Sequence, residues 1–155
     1  MDQIIKPLVK RQPISHSPEY KAWTKAKERC YNPKTKNFSD YGGRGISMCK
    51  EWLNDPHQFI KDMGEKPEPK NNYSLEREDN SLNYSKDNCK WADRKEQANN
   101  RRSNKLITYN GHTLNISQWA ELLEIKPHTL AKRFKNGWSV EKAFTTPIRE
   151  AREHK

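Results

Sequence analysis

Residues 74–80 read SLEREDN and residues 88–91 read NCKW, and these two short runs decide how the middle of the chain folds. Residues 73–77 suit a β-strand, residues 79–83 (DNSLN) are typical of a turn, and residues 89–91 can form the returning strand. Asp93 can then cap a helix that runs through residues 94–100. The pattern therefore predicts a strand, a loop, a second strand and a helix in sequence, which is a ββα unit.

The composition favours a partner that is rich in phosphate. The chain has 155 residues, with 30 Lys and Arg against 20 Asp and Glu, so its formal net charge is +10. Such a balance is typical of proteins that bind nucleic acid, although a well-solvated basic surface without a partner is the alternative. Only 32% of the residues are hydrophobic. We therefore expect small modules with modest cores rather than one large domain.

The sequence gives no sign of a membrane partner. No apolar run approaches the roughly 20 residues that a membrane span needs. The first residues, MDQIIK, lack the apolar core of a signal peptide. We therefore expect a cytoplasmic protein.

The three cysteines predict reduced, partly buried thiols. Cys30, Cys49 and Cys89 are an odd number and form no CxxC pair, so neither a disulfide framework nor a zinc knuckle is indicated. A zinc site that gathers all three with His57 is the alternative. Their spacing does not support it, so zinc is not expected.

Residues that typically begin or end helices mark the elements that precede residues 74–80. Residues 1–16 show no periodicity and predict a basic arm. Ser17 and Pro18 are typical of a helix start, and the helix should end at residues 32–33, Asn-Pro. A second helix is expected over residues 55–63.

The glycine-rich run YGGRGI, residues 41–46, has two interpretations. Its glycines allow positive φ and close backbone approach, so the loop can lie against a phosphate with Arg44 beside it. A tight turn that leads into a strand over residues 46–49 is the alternative.

A second module is expected from Lys105 onward. Residues 106–114 contain an Asn-Gly pair between strand-like runs, which predicts a two-residue β-hairpin. Ser117 then caps a helix, residues 125–127 form a turn, and residues 128–134 form a second helix. This spacing predicts a helix-turn-helix, with a short closing helix in residues 137–144 (GWSVEKAF).

Several of these runs resemble the HNH, or His-Me finger, nucleases. The resemblance rests on SLEREDN, on NYSKDNCKW at residues 83–91 and on ADRKEQANN at residues 92–100. Upstream, YKAW, RCYNP, YGGRGI and DMG are similar to phage proteins of the HNH-like type, so the resemblance covers residues 17–104. The segment 116–143 resembles the helix-turn-helix that such phage proteins carry. The resemblance implies a phage-derived protein in a bacterial host cell, with an α+β fold, that cleaves or nicks double-stranded DNA with a divalent metal, Mg²⁺ or Mn²⁺.

The resemblance also implies a role for individual residues. By position, Glu76 matches the acidic metal ligand, Arg77 the general base, Asn88 the amide that orients it, and Gln97 the metal ligand on the helix. Asp79 can join the ligands, since one carboxylate and a neutral amide hold a divalent cation weakly.

Arg77 is the main departure from the family pattern. A general base must accept a proton near neutral pH, and a guanidinium with a pKa above about 12 does not. Arg77 can instead stabilise charge in the transition state, with His57, His16 or a metal-bound water acting as the base. The alternative is a DNA-binding regulator or architectural factor that keeps the HNH scaffold and has lost the chemistry. An RNA-binding accessory protein is a third possibility, which the helix-turn-helix disfavours.

The sequence thus predicts a division at residues 1–16, 17–104, 105–147 and 148–155, as arm, HNH-like domain, helix-turn-helix domain and tail. It gives no indication of the oligomeric state. Basic and amide side chains in both domains are the expected DNA contacts. They are Arg44, Arg94, Lys95, Asn99, Arg101 and Arg102 in the first, and Lys126, His128, Thr129, Lys132 and Arg133 in the second. A helix-turn-helix that serves only packing or self-association is the alternative for the second domain.

Overall fold

The computed structural model describes residues 13–148, so most of the predicted arm and tail lies outside the described residues. This part of the chain combines helices with two small antiparallel sheets, as an α+β fold does. By internal contacts it divides into two units between Arg94 and Lys95, and each unit is described by itself.

The first unit holds three helices and one hairpin. The helices are α1 (Pro18–Tyr31), α2 (Lys50–Leu53) and α3 (Pro56–Met63), and the strands are β1 (Ser74–Arg77) and β2 (Cys89–Ala92). Short 3₁₀ turns lie at Ile14–His16, Phe38–Asp40, Gly42–Arg44, Lys70–Asn72 and Lys86–Asn88.

Both long helices of this unit begin where the sequence predicts. The Ser17 side chain accepts a hydrogen bond from the Tyr20 N–H, and Pro18 occupies the first turn of α1. Asp55 caps α3 in the same way, accepting from the N–H groups of His57 and Gln58. The chain leaves α1 at Asn32, directly before Pro33, as expected.

The β1–β2 hairpin also confirms the prediction. The strands are antiparallel, with Glu76 opposite Lys90 and Arg77 opposite Cys89. The strand expected over residues 46–49 does not form, since Met48 makes only an isolated bridge to Tyr84. A strand needs a neighbour along its whole length, and the loop that carries Tyr84 supplies one pair.

The glycine-rich run forms a compact turn packed on α1. A side chain at Gly42 would place its Cβ 2.1 Å from the Cys30 carbonyl oxygen, so only glycine fits there. Gly45 has a φ of 84°, which ends the turn. Of the two interpretations of YGGRGI, the geometry matches the tight turn.

The core of the first unit is aromatic. Trp52 and Phe59 are fully buried and meet edge to face, with ring centroids 4.9 Å apart. Around them lie Trp23, Ala26, Cys30, Ile46, Met48, Leu75 and Tyr84. Leu75 ties the hairpin to this core through its inward-facing side.

The second unit holds a hairpin and the four remaining helices. The helices are α4 (Arg94–Asn99), α5 (Ile116–Leu122), α6 (Pro127–Lys135) and α7 (Val140–Thr145), and the strands are β3 (Leu106–Tyr109) and β4 (His112–Asn115). Asn110 and Gly111 have φ values of 48° and 79°, as a two-residue type I′ turn requires. The Asn-Gly hairpin is therefore confirmed.

The predicted cap of α5 is wrong. Ser117 lies inside the helix, and the cap is Asn115, whose side chain accepts from the Gln118 N–H. The Gln118 side chain in turn accepts from the Asn115 N–H, which completes a capping box. Strand β4 thus passes directly into α5 without a loop. Residues Ile107, Trp119, Ala120, Leu130, Ala143 and Phe144 form the core of this unit.

Within residues 13–148, no helix has the length and apolar character to cross a membrane. The three cysteines of this part of the chain are free thiols.

Candidate nucleic-acid interface

Arg77 is buried at the end of β1, and its guanidinium closes the loop of the hairpin. Only 4% of the residue is exposed. Nη1 donates to the carbonyl oxygens of Asn80, at 3.0 Å, and Leu82, at 2.7 Å. The guanidinium carbon also lies 5.1 Å from the ring centroids of both Tyr41 and Tyr84. The Arg77 side chain therefore ties the loop to the aromatic core.

Asn88 holds the other side of the same loop. Its Oδ1 accepts from the Asp79 N–H at 2.9 Å, and its Nδ2 donates to the carbonyl oxygens of Asp79, at 3.1 Å, and Asn83, at 2.9 Å. The residue is buried, so these bonds satisfy an amide that water does not reach. The predicted orienting amide is thus placed next to the loop backbone, and its three bonds there are structural.

The residues expected to hold a divalent cation lie at three places along the chain. Asp79 is exposed, and its Oδ1 accepts from both the N–H and the hydroxyl of Ser81, at 2.8 and 2.5 Å. These hydrogen bonds lower the pKa of Asp79. Glu76 lies opposite Lys90 on the hairpin, and Gln97 belongs to the second unit. Within the described residues, no three His, Cys, Asp or Glu side chains come together as metal ligands would. A metal centre at Glu76, Asp79 and Gln97 stays a prediction.

The two histidines suggested as bases are placed outside the core. His57 lies exposed in the first turn of α3, and His16 lies exposed in a short 3₁₀ turn before α1. Their role as bases is still only a prediction.

Burial raises the pKa of two thiols beside the hairpin. The pKa of Cys30 rises to about 11 and that of Cys89 to about 12, although nearby Arg77 opposes both shifts. Both groups therefore stay protonated at neutral pH and are poor metal ligands or nucleophiles in the folded unit.

Arg44 reaches the same loop from outside. It is exposed, and its Nη1 donates to the carbonyl oxygens of Asp40, at 3.2 Å, and Asn80, at 3.5 Å. These bonds to neutral groups leave the charge of Arg44 directed to solvent, as a phosphate contact requires.

In the basic segment after β2, some side chains are exposed and others contact α5. Arg94, Arg101 and Arg102 are exposed. Lys95 forms an ion pair with Glu121, 2.8 Å between the charged atoms. Asn99 accepts from the Asn115 side chain through both its carbonyl and its Oδ1. Lys95 therefore ties α4 to the last turn of α5 and Asn99 ties it to the N-cap of α5, a role that the sequence did not indicate.

Helices α5 and α6 pack against each other and are joined by a short turn. Ala120 is fully buried on α5, where a small side chain lets α6 approach closely. Glu124 follows with a φ of 54°, so a left-handed residue turns the chain between the helices. Ile125 and Leu130 then return to the core. The loop is short, and its geometry confirms the predicted sequence of helix, turn and helix.

Helix α6 presents a basic outer face. His128, Lys132 and Lys135 are exposed and follow at intervals of four and three residues, so they share one side of the helix. Lys126 is exposed at the N-cap position, and Thr129 is half-buried beside His128. Of these, Lys135 was missed by the sequence reasoning.

Arg133 lies on the opposite side of α6 and is buried, with 8% exposed. Its Nη1 donates to the Ala143 carbonyl oxygen at 2.6 Å, and its Nη2 to that of Pro147 at 3.2 Å. The guanidinium also lies over the Trp138 ring. The prediction that Arg133 contacts DNA conflicts with this placement, because the side chain holds α7 and the segment after it to α6.

Sequence reasoning also missed a basic groove in the first unit. Its volume is about 490 Å³, and its cationic lining residues are Lys21, Lys25, Arg29, Lys66 and Lys70. The signal was present, since 21, 25 and 29 recur every four residues along a predicted helix.

Comparison of the chain with protein-family models, with curated proteins and with solved structures found no match.

Proposed function

We propose that the chain binds double-stranded DNA through the helix-turn-helix of its second unit, with α6 in the major groove. The observation that carries this proposal is the division of α6 into a buried side and a basic exposed side. Leu130 and Arg133 anchor the helix, while His128, Lys132 and Lys135 face outward. A helix that reads DNA needs this arrangement, because the major groove admits one whole helix and its outer side chains.

The start of α6 supplies the groups that read bases. In a helix-turn-helix, the N-terminal residues of the second helix contact base edges. Here these are Lys126, His128 and Thr129, which combine a cation, an imidazole and a hydroxyl. Lys132 and Lys135 lie further along the same helix and suit the phosphates that position it.

The first unit is best explained as an HNH-like scaffold that serves binding rather than catalysis. Along the chain, β1 and β2 of this unit are followed by α4 of the second unit, which is the order of a ββα module. Two observations support the loss of chemistry. The Arg77 guanidinium donates to the loop carbonyls and does not accept a proton near neutral pH, and the Asp79 carboxylate accepts hydrogen bonds from Ser81. Of the two functions expected from the sequence, this geometry favours the binding protein.

Binding is tested with the full chain and a fluorescein-labelled duplex, by anisotropy at several salt concentrations. Lys132→Gln together with Lys135→Gln should lower the magnitude of the salt slope by about 2, because each lost phosphate contact removes about 0.9. The matched control is Lys50→Gln with Lys61→Gln, two exposed lysines of the first unit with the same change in charge. The proposal would be overturned if the α6 variant had the same salt slope as the unmodified chain. It would also be overturned if the magnitude of the slope fell equally in the control.

Catalysis is tested separately with supercoiled plasmid and Mg²⁺ or Mn²⁺, with a chelator control. The binding proposal predicts that no nicking depends on the metal. Nicking that the chelator stops and that Glu76→Ala abolishes would restore the nuclease interpretation.

A further inference from the structure

We propose that the first unit carries a second DNA site, a lysine-lined groove between α1 and the segment 66–75 that binds the sugar-phosphate backbone of a duplex. The groove holds about 490 Å³ and lies entirely within the first unit. It deepens the proposed function by assigning named residues to the binding proposed for the first unit, and no residue of the helix-turn-helix takes part.

One wall of the groove is a row of cations on α1. Lys21, Lys25 and Arg29 are four residues apart, so they lie on one face of the helix, about 6 Å apart along its axis. Lys21 and Lys25 are exposed, and Arg29 is half-buried. A linear row of like charges destabilises an isolated helix, and a linear polyanion such as a DNA strand relieves that repulsion.

The opposite wall is held in place by a buried carboxylate. Glu19 accepts from the Lys66 N–H at 2.9 Å and lies 3.8 Å from the Lys70 ammonium. Burial acts to raise the pKa of Glu19, but the hydrogen bonds and Lys70 outweigh it, so the pKa is lowered and the group stays ionised. Glu19 therefore fixes the segment against α1. Lys70 also lies 4.0 Å from Glu68, so its charge is partly neutralised.

The charge that remains for a ligand comes chiefly from α1. Arg29 donates to the Lys25 carbonyl and to the Tyr41 hydroxyl, which are neutral partners. Its charge, together with those of Lys21, Lys25 and Lys66, outweighs the carboxylates around Lys70. The groove thus selects an anion with several negative groups in a row.

The remaining lining residues indicate which kind of polyanion binds in the groove. Ala22 and Leu75 line the groove with apolar atoms, against which a deoxyribose can pack while its phosphates meet the cations. None of the residues that line it is aromatic. Single-strand binding sites typically stack bases on aromatic rings, so this groove suits the backbone of a duplex, whose bases stay paired.

The site is tested in the full chain with Lys21→Gln together with Lys25→Gln. These side chains are exposed, and no core contact is lost; Arg29 and Lys70 are left intact because they support the fold. Anisotropy with labelled duplexes of several unrelated sequences should show a salt slope reduced in magnitude by about 2, and an affinity reduced by the same factor for every sequence. Lys50→Gln with Lys61→Gln is again the matched control, and its slope should change by much less.

The outcomes separate this site from the helix-turn-helix. If the magnitude of the salt slope falls in the groove variant but not in the α6 variant, the groove is supported and binding through the helix-turn-helix is overturned. If it falls in the α6 variant but not in the groove variant, only the groove is overturned. An equal fall in the control shows a general effect of charge and overturns the groove. Weaker binding to single strands or to heparin with duplex binding unchanged also overturns it, since the ligand would then be another polyanion. Thermal unfolding of each variant, together with the single substitutions, each expected to lower the slope by about 1, excludes misfolding as the cause.

Discussion

The guanidinium of Arg77 donates to the carbonyl oxygen of Leu82 at 2.7 Å, across the loop that joins β1 to β2. The arginine at this position therefore closes the loop. A histidine has a shorter side chain and would not make the same hydrogen bond. The contact explains how the hairpin keeps its loop closed.

Arg77→Ala should destabilise the protein. It removes two hydrogen bonds from a charged donor and leaves two loop carbonyls to find water, which costs about 3 kcal/mol of the free energy of unfolding. Urea denaturation measures this loss. The matched control is Arg44→Ala, which removes an exposed arginine that bonds the same Asn80 carbonyl at 3.5 Å, and it should change stability by less than about 0.5 kcal/mol. Equal effects of the two substitutions would contradict the structural role of Arg77.

Asn88→Asp should destabilise the hairpin in a way that depends on pH. The amide of Asn88 donates to two carbonyl oxygens, and a carboxylate there would face both without a proton. At neutral pH the loss should be about 3 kcal/mol.

The sign of the pH dependence follows from the same contacts. Burial and the two carbonyls raise the folded-state pKa of the introduced acid above its unfolded value, so its neutral form is favoured in the fold. The penalty should therefore shrink as pH falls through the folded-state pKa. Asn83→Asp is the control, because the Asn83 side chain accepts a hydrogen bond from the Ser47 N–H and a carboxylate can do the same. A loss that does not vary between pH 7 and pH 4 would count against this account.

Much of the local structure could be predicted because its causes are local. The caps at Ser17 and Asp55 and the Asn110-Gly111 turn depend on a few neighbouring residues. The strand expected at residues 46–49 failed because pairing depends on a distant partner. Such a partner is not visible in a short window.

The buried arginines could be predicted only in part. Arg133 follows Leu130 by three residues, so helical spacing already placed it on the buried side of α6. Its charge suggested solvent instead, because arginine is seldom buried without partners, and the carbonyls of Ala143 and Pro147 are partners that only the fold supplies. The burial of Arg77 was equally hard to predict, because the loop carbonyls of Asn80 and Leu82 are also partners that only the fold supplies.

The thiols give a prediction at high pH. The pKa of Cys89 is about 12 in the folded unit, above the usual value of about 9 for an unfolded thiol. The folded state therefore keeps its full advantage below pH 9 and loses it as pH rises toward 12. Stability measured by denaturation should fall over this range, and Cys89→Ala should lessen the fall. At pH 8 a disulfide reagent should react slowly with the native thiols and quickly after unfolding, and equal rates would be inconsistent with their burial.

The turn between α5 and α6 gives a prediction of increased stability. Glu124 has a φ of 54°, a conformation that costs an ordinary residue about 1 kcal/mol relative to glycine. Glu124→Gly should therefore stabilise the second unit by a fraction of that amount, since glycine also gains entropy when unfolded. Ala131→Gly, on the exposed side of α6, is the control and should destabilise by about 1 kcal/mol. Thermal unfolding that shows destabilisation by both would contradict the turn geometry.

We expect α6 to read duplex DNA, and selection from a random duplex library by the full chain measures this. The selection should enrich a sequence motif. The same selection with His128→Ala and Thr129→Ala should lose or change that motif, while binding to bulk DNA persists through phosphate contacts. The exposed control pair Lys50→Gln and Lys61→Gln should return the original motif. A library that yields no motif, or a motif that is unchanged in the α6 variant, would contradict the claim.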